Sequence, residues 1–448
     1  LIIKIPQNNI LERTYIIDIL IGEFLGLSYS IEVNEITNYH LIFEEKEVIV
    51  EDHFFNNYPE NLSYLKKEAI PDDVSFVENQ FTSETDVPML FGNDKMIVNN
   101  NQILCGNDIF AASFFMLTRW EEYVNTSRDI HNRFSAKDSV AYKFGFLDRP
   151  IVNEYVELLW NMFSYLGYQE NRKEHSFEFI LTHDVDDLRF WKDNKKNAKV
   201  LLGDIIKRKN IKLFAKNFKD IMEIRFGKKK DPFDTFDELM SISEQKNLQS
   251  RFYFMSGGTT KYDNRYDIKD DLTIKLIRNI EKRGHLIGFH PSYDSYNNEK
   301  QWSNEKKALK EVVDKPILEG RQHYLRFDIP FTWRIWEENN MTMDCSVGYA
   351  DREGFRCGVC FGYSVFDFLN RKKYKLKEFP LLVMEASLIT YQNLTPEMME
   401  KRIKKILDIT LKYKGSFVFL WHNSSFNTAT WKQYSAVYKK IIKYQNKV

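Results

Sequence analysis

Leu181-Thr182-His183-Asp184-Val185-Asp186-Asp187 follows the apolar run Phe177-Glu178-Phe179-Ile180. β-Branched and aromatic residues suit a pleated surface, so the run predicts a buried strand. The stretch after it is what packing alone does not explain. A carboxylate loses strong hydration when buried, so acids sit at a strand end only where a metal, a partner or water compensates them. The stretch predicts a metal-assisted site, and the remaining ligands must come from elsewhere in the chain.

At 448 residues the chain exceeds one ordinary domain, which predicts two. With 35 Phe, 24 Tyr and an apolar share of 43%, it can fill large cores, which excludes global disorder. Lys+Arg 64 balance Asp+Glu 64, so no bulk field favours nucleic acid or an anionic membrane as the main partner. No apolar run reaches the roughly 18 residues of a membrane span, and no secretory pattern opens the chain, although it starts at Leu1. The expectation is a cytoplasmic protein without a membrane span. Four cysteines make no disulfide framework, and Cys357 and Cys360 form a lone C-x-x-C that reads as two incidental thiols.

Residues 1–170 predict a smaller α/β or α+β domain ending in a connecting helix. Short strands are expected at Leu1–Ile5, Ser28–Val33, Tyr39–Phe43 and Val48–Val50. Helices are expected at Ile10–Leu25, at Asp108–Val124 with Asn107 as cap, and at Ile151–Leu166. His40, His53 and His131 show no matching ligand spacing. The polar stretch Gln169–His175 marks the boundary, so residues 171–448 form the second domain.

There, strands and helices alternate. Strands are expected at Arg251–Met255, Leu286–Phe289, Tyr324–Phe327, Met343–Val347, Phe379–Glu385 and Phe417–Trp421, and helices at Thr235–Lys246 and Leu272–Arg283. The insertion Lys192–Lys230 reads as two outer helices whose charge forms a solvated face. About seven strands in about 270 residues predict a closed or nearly closed, distorted β/α barrel.

In such folds chemistry gathers at the carboxyl ends of the strands. His183, Asp184 and Asp186 end the first strand, and His290 ends another, followed by Ser292, Tyr293 and Asp294. Arg321, His323 and Arg326 flank a third. A further segment runs from Asp344 to Asp351 and Arg356, and the last strand ends in His422 and Asn423. One lone histidine is usually a core residue, but several at matching strand ends point to a site.

With these motifs in place, residues ~176–446 resemble the polysaccharide deacetylase family (NodB homology, carbohydrate esterase family 4), in a subgroup with an extra amino-terminal domain. The resemblance implies a metal-dependent hydrolase that removes acetyl groups, N-acetyl above all, from a sugar or polysaccharide, with Zn²⁺ as the expected metal. By the match of Thr182-His183-Asp184-Val185-Asp186, Asp184 is the catalytic base and Asp186 a metal ligand. His290 matches the first histidine of the second motif, and Asp294 stands where the family has another, so the implied metal set is Asp186, His290 and Asp294. Arg326 is the implied orienter of the base, with Arg321 as second choice, and Leu420-Trp421-His422 makes His422 the general acid. His183, Tyr293, His323, Asp351 and Arg356, polar or aromatic residues near the same strand ends, are the expected substrate contacts.

Two other classes compete. A barrel that kept its sugar cleft but lost turnover would explain Asp294 directly. An Asp-x-Asp glycosyltransferase would explain Asp184 and Asp186 but leaves His290, Arg326 and His422 without work, and residues 1–175 hold no Gly-rich phosphate loop. The loop carrying Tyr262, Asp263, Tyr266 and Asp267 reads equally as a sugar-stacking rim or as a turn with aromatic packing. Ser424 and Ser425 lack the glycines of a nucleophile elbow.

Overall fold

The computed structural model describes residues 1–191, 194–263 and 266–445. Lys192, with which the expected insertion opens, lies outside them. Near the amino terminus lie β1 (Ile2–Pro6), β2 (Ser30–Asn34), β3 (Tyr39–Phe43) and β4 (Lys46–Val50); β3 turns alternate residues inward, β4 buries Val48–Val50, and β2 buries none. A ribbon of β5 (Ser75–Val77) and β6 (Val87–Met89) follows, then the hairpin β7 (Gly92–Val98) and β8 (Gln102–Asn107). Six of these strands form one mixed sheet in the order β2-β1-β3-β4-β8-β7.

The helices of this part depart from expectation in informative ways. Residues expected as one helix from Ile10 to Leu25 form an α-helix, Ile10–Ile17, that widens into a π-helix, Asp18–Phe24. The helix expected at Asp108–Val124 breaks at Arg119 (φ 53°) into Ile109–Thr118 and Trp120–Val124. Its cap is Asp108, which accepts from Ala111 N at 3.0 Å, and not Asn107.

The second sheet has nine strands: β9 (Glu178–Val185), β10 (Ser250–Phe254), β11 (Leu286–Phe289), β12 (Glu319–Gly320), β13 (Met343–Asp344), β14 (Tyr363–Asp367), β15 (Lys372–Glu378), β16 (Leu381–Met384) and β17 (Ser416–Leu420). Their order is β14-β15-β13-β12-β11-β10-β9-β17-β16. All neighbours are parallel except β14 and β15. The sheet is therefore larger than the seven strands expected, and no ladder among the described residues joins β14 to β16. The β14–β15 hairpin, absent from the sequence reading, occupies one edge. The strand expected at Tyr324–Phe327 is replaced by a tight turn, His323–Leu325, because Tyr324 and Leu325 both take positive φ (60° and 54°). β9 is buried along nearly its whole length, as a central parallel strand covered on both faces must be.

The two sheets share one apolar core running from Ile3 to Ile442. Buried polar groups also cross between them. Arg356 pairs with Glu122, Arg119 Nη2 donates to Tyr349 Oη at 3.2 Å, and Tyr363 Oη donates to Leu117 O at 2.8 Å. A buried charge left without its partner is costly, so these contacts tie the amino-terminal part firmly to the β14–β15 side. No helix among the described residues is long and apolar enough to cross a membrane.

Candidate metal and hydrolase site

Side chains alternate along a strand, so Thr182, Asp184 and Asp186 share one face of β9 and His183 the other. On the first face Asp184 is buried, and its Oδ1 accepts from Arg321 Nη1 at 2.8 Å. The same Nη1 donates to Thr182 Oγ1 at 2.9 Å, and Arg321 Nε to Cys345 O at 2.8 Å. Three fixed acceptors leave the guanidinium one position, and with it the Asp184 carboxylate.

Asp186 extends one residue beyond β9 and meets two imidazoles. His290 Nε2 lies 3.4 Å and His323 Nε2 3.6 Å from its Oδ1. The ligand atoms of Asp186, His290 and His323 lie within 4.8 Å of one another. His290 leaves β11, and His323 lies in the turn after β12, two strands and three strands from β9 in the sheet. His290 Nδ1 donates to Arg321 O at 2.6 Å, which fixes the tautomer and aims Nε2 inward. Asp263 Oδ1 stands 3.6 Å from His323 Nδ1, the carboxylate-behind-imidazole arrangement that orients metal-binding histidines.

The fit to a divalent cation rests on this donor set. Two imidazole nitrogens and one carboxylate oxygen suit Zn²⁺ in a site with an open fourth position. Asp186 Oδ1 is buried without a hydrogen-bond partner, which is costly for an anionic oxygen unless a cation faces it. The surrounding field has the same character. Burial opposes the charge on Asp186, but His290, His323 and His422 outweigh it and hold the carboxyl far below the usual range. Burial, helped by the neighbouring His290, lowers His323 against the pull of Asp263 and Asp186, which favours the neutral ring that can donate a lone pair.

His422 follows β17 on the other side of Asp186, its Nε2 3.9 Å from Asp186 Oδ2. Its Nδ1 donates to Glu385 Oε1 at 2.7 Å, and its backbone N–H to the same oxygen at 3.0 Å. Burial opposes its charge, yet Glu385, Asp186 and Asp184 raise it to about 10, so it carries a proton at neutral pH.

Other expected site residues lie elsewhere. Asp294 departs from the implied metal set: it is about half exposed and accepts from Arg326 Nη1 at 2.7 Å. Arg326 is correspondingly committed away from Asp184, donating also to Tyr293 O at 2.6 Å and stacking over Tyr293 and Tyr296. His183 points from the opposite face of β9 into the core, where Nδ1 donates to Trp421 O at 2.7 Å, so it cannot contact substrate. Arg356 is buried against Glu122, and Asp351 accepts from Ala136 N at 3.2 Å. Glu385 was missed, although it lies just past the end of β16, where the strand-end rule would have flagged it.

Tyr293 belongs to an aromatic rim beside His323. Its ring stacks on Tyr262 at 4.5 Å, and both lie 5.3 Å from Tyr324. The amino-terminal part adds a loop to this rim. Asp129 Oδ1 accepts from His131 N and Arg133 N, and Oδ2 from the Arg133 guanidinium, which locks the turn. His131 Nδ1 then meets Tyr293 Oη at 3.0 Å, and Arg133 Nη2 donates to Tyr391 Oη at 2.7 Å. Ile130 at the tip is 94% exposed.

Residues 1–167 match a family model described as "Family of unknown function (DUF7033)". No curated protein matches the chain. Among solved structures, a putative polysaccharide deacetylase from Mycobacterium smegmatis is similar at 14% identity and a TM-score of 0.39, covering 61% of this chain and 85% of its own. A CE4 family pseudoenzyme from Bacillus anthracis is similar at 9% identity and a TM-score of 0.31, covering 60% and 62%. A mutant of that pseudoenzyme with restored enzymatic activity gives 10%, 0.31, 60% and 64%. Likenesses this distant leave the functional argument to the side chains themselves.

Proposed function

We propose that the protein is a metal-dependent hydrolase that removes acetyl groups, in the first place N-acetyl groups, from a sugar or polysaccharide. The observation that carries this reading is the grouping of Asp186, His290 and His323 between two differently tuned groups, Asp184 with Arg321 and His422 with Glu385. It joins the motif resemblance of Thr182–Asp186 and Leu420–His422 to a geometry in which each chemical task has one residue.

An amide carbonyl is a poor electrophile and neutral water a poor nucleophile. A divalent ion on Asp186, His290 and His323 would supply Lewis acidity towards both the water and the acetyl oxygen. Asp184, oriented by Arg321, accepts the proton of the attacking water. As the C–N bond breaks, His422 gives its proton to the departing nitrogen, which otherwise leaves as an unstable anion. Acetate and the free amine are the products. Glu385 holds the imidazole ring in place through Nδ1, so Nε2 faces the reaction. Tyr262, Tyr293 and Tyr324 offer ring faces of the kind that pack against sugars.

The non-catalytic alternative drew its force from Asp294, and His323 supplies a third ligand without it. Against a glycosyltransferase stands the pairing of Asp184 with Arg321, which leaves one free acid where that chemistry wants two. The deciding experiment is acetate release from a panel of N-acetylated mono- and oligosaccharides, with metal-free and Zn²⁺-loaded protein. Zn²⁺-dependent acetate release that is lost in Asp184→Asn supports the reading; release from no sugar, with stoichiometric metal bound, refutes it.

A further inference from the structure

The helical hairpin Asn194–Ile206 and Ile211–Arg225 is unlike the rest of the surface. The chain is neutral overall, yet residues 194–230 carry thirteen Lys and Arg against three acids. Those acids are spent inside the hairpin: Asp204 accepts from Arg208 and from Asn217 Nδ2 at 2.8 Å, Asp220 pairs with Lys229 at 2.6 Å, and Glu223 lies 3.7 Å from Lys219. Lys207, Lys209, Lys212 and Lys216 have no acidic partner among the described residues.

Beside these cations the hairpin exposes apolar side chains that a solvated face would not carry. Leu202, Ile205 and Ile206 end the first helix and Ile211 opens the second, so four aliphatic residues gather at the tip, with Ile206 68% and Ile211 75% exposed. Phe218 continues the face two turns further on, stacked with Phe214. The second helix packs against the first through half-buried Leu213, Phe214, Ile221 and Met222, yet buries none of them fully. Ile211 and Phe218 on its apolar face stay exposed.

We infer that this hairpin is a docking element for an anionic lipid surface. Aliphatic and Phe side chains enter the acyl boundary, and the surrounding lysines neutralise lipid headgroups. Charge decides between occupants. A second copy would bring thirteen cations against thirteen, which repel, and a nucleic acid would meet the lysines but leave the aliphatic tip without work. The element is anchored at its base: Asp231 Oδ1 and Oδ2 accept from Phe190 N (2.8 Å) and Trp191 N (3.0 Å). It leaves the sheet at the end of β9 that carries Asp184 and Asp186, so docking would also hold that end of the sheet at the lipid surface.

The test is co-sedimentation of the full chain with vesicles of phosphatidylcholine, with and without about 30 mol % phosphatidylglycerol. Binding is expected with the anionic vesicles, weakening as salt rises. Ile206→Asp with Ile211→Asp, and separately Lys207→Glu with Lys209→Glu and Lys212→Glu, should each weaken it at least about tenfold. All five positions are exposed, and unchanged thermal unfolding of both variants establishes that the fold persists. No binding by the wild type, equal binding by both variants, capture of RNA in place of vesicles, or self-association through Ile206 without vesicle binding would each overturn the inference. None of these outcomes depends on hydrolase activity.

Discussion

Arg321 Nη1 donates to Asp184 Oδ1 at 2.8 Å, and neither side chain is more than 3% exposed. The pair unites stability and chemistry. Removing the arginine leaves a buried carboxylate with no counter-charge, which typically costs about 3–5 kcal/mol. Arg321→Met is expected to lower the urea midpoint accordingly, whereas Asp294→Asn, which removes only the half-exposed charge facing Arg326, should cost about 1 kcal/mol or less. Equal losses in the two variants would show that Asp184 does not depend on Arg321.

Metal binding separates two candidate third ligands. His323→Ala should abolish stoichiometric Zn²⁺ in the purified protein, and Asp294→Ala should leave it intact, read by elemental analysis after dialysis. Asp263→Ala should weaken Zn²⁺ by about 10–100-fold, because it frees the His323 ring that Asp263 faces at 3.6 Å. Retention of metal by His323→Ala with its loss in Asp294→Ala would restore the ligand set read from the sequence.

That contrast shows what a sequence can carry. Asp186 and His290 are legible because each closes a strand that an apolar run announces. His290 comes directly after Leu286–Phe289 and Asp186 a few residues beyond Phe179–Leu181, and period-two alternation then decides which face each side chain takes. The third member of the proposed ligand set is not legible, since Asp294 and His323 both lie in turns. Two consecutive positive φ values at Tyr324 and Leu325 aim that turn, and residues without glycine give no warning of them. For the same reason the strand expected at Tyr324–Phe327 is absent, and Arg321 rather than Arg326 reaches Asp184. The strands β10, β11, β13, β16 and β17 stand where apolar runs announced them, whereas the short β12 (Glu319–Gly320) was not expected. Nor was the β14–β15 hairpin, because a polar strand such as Lys372–Glu378 shows no apolar run.

His422 is expected to act on the reaction alone. His422→Asn should lower kcat by about 10²–10⁴-fold with Zn²⁺ content unchanged, since the ring is not among the three grouped ligands. Glu385→Gln should give a smaller loss by releasing the Nδ1 hydrogen bond of 2.7 Å. Loss of metal in His422→Asn would instead make it a fourth ligand.

The pH dependence of stability should carry the mark of Asp344. Burial raises its carboxyl to about 7, and burial together with Asp344 raises its neighbour Glu378 well above the carboxylate range. In the unfolded chain such groups lose their protons near pH 4. Between about pH 4 and pH 7 the folded state thus keeps protons that the unfolded state has released, and stability must fall as pH rises through this window. Below it both states are protonated, and the contribution is present in full. Asp344→Asn removes one titrating member while keeping an oxygen for Ser346 N, which donates to Asp344 Oδ1 at 3.0 Å. Thermal unfolding between pH 4 and pH 8 should therefore fall less steeply in the variant than in the wild type. Parallel curves would mean that Asp344 does not hold its proton in the folded state.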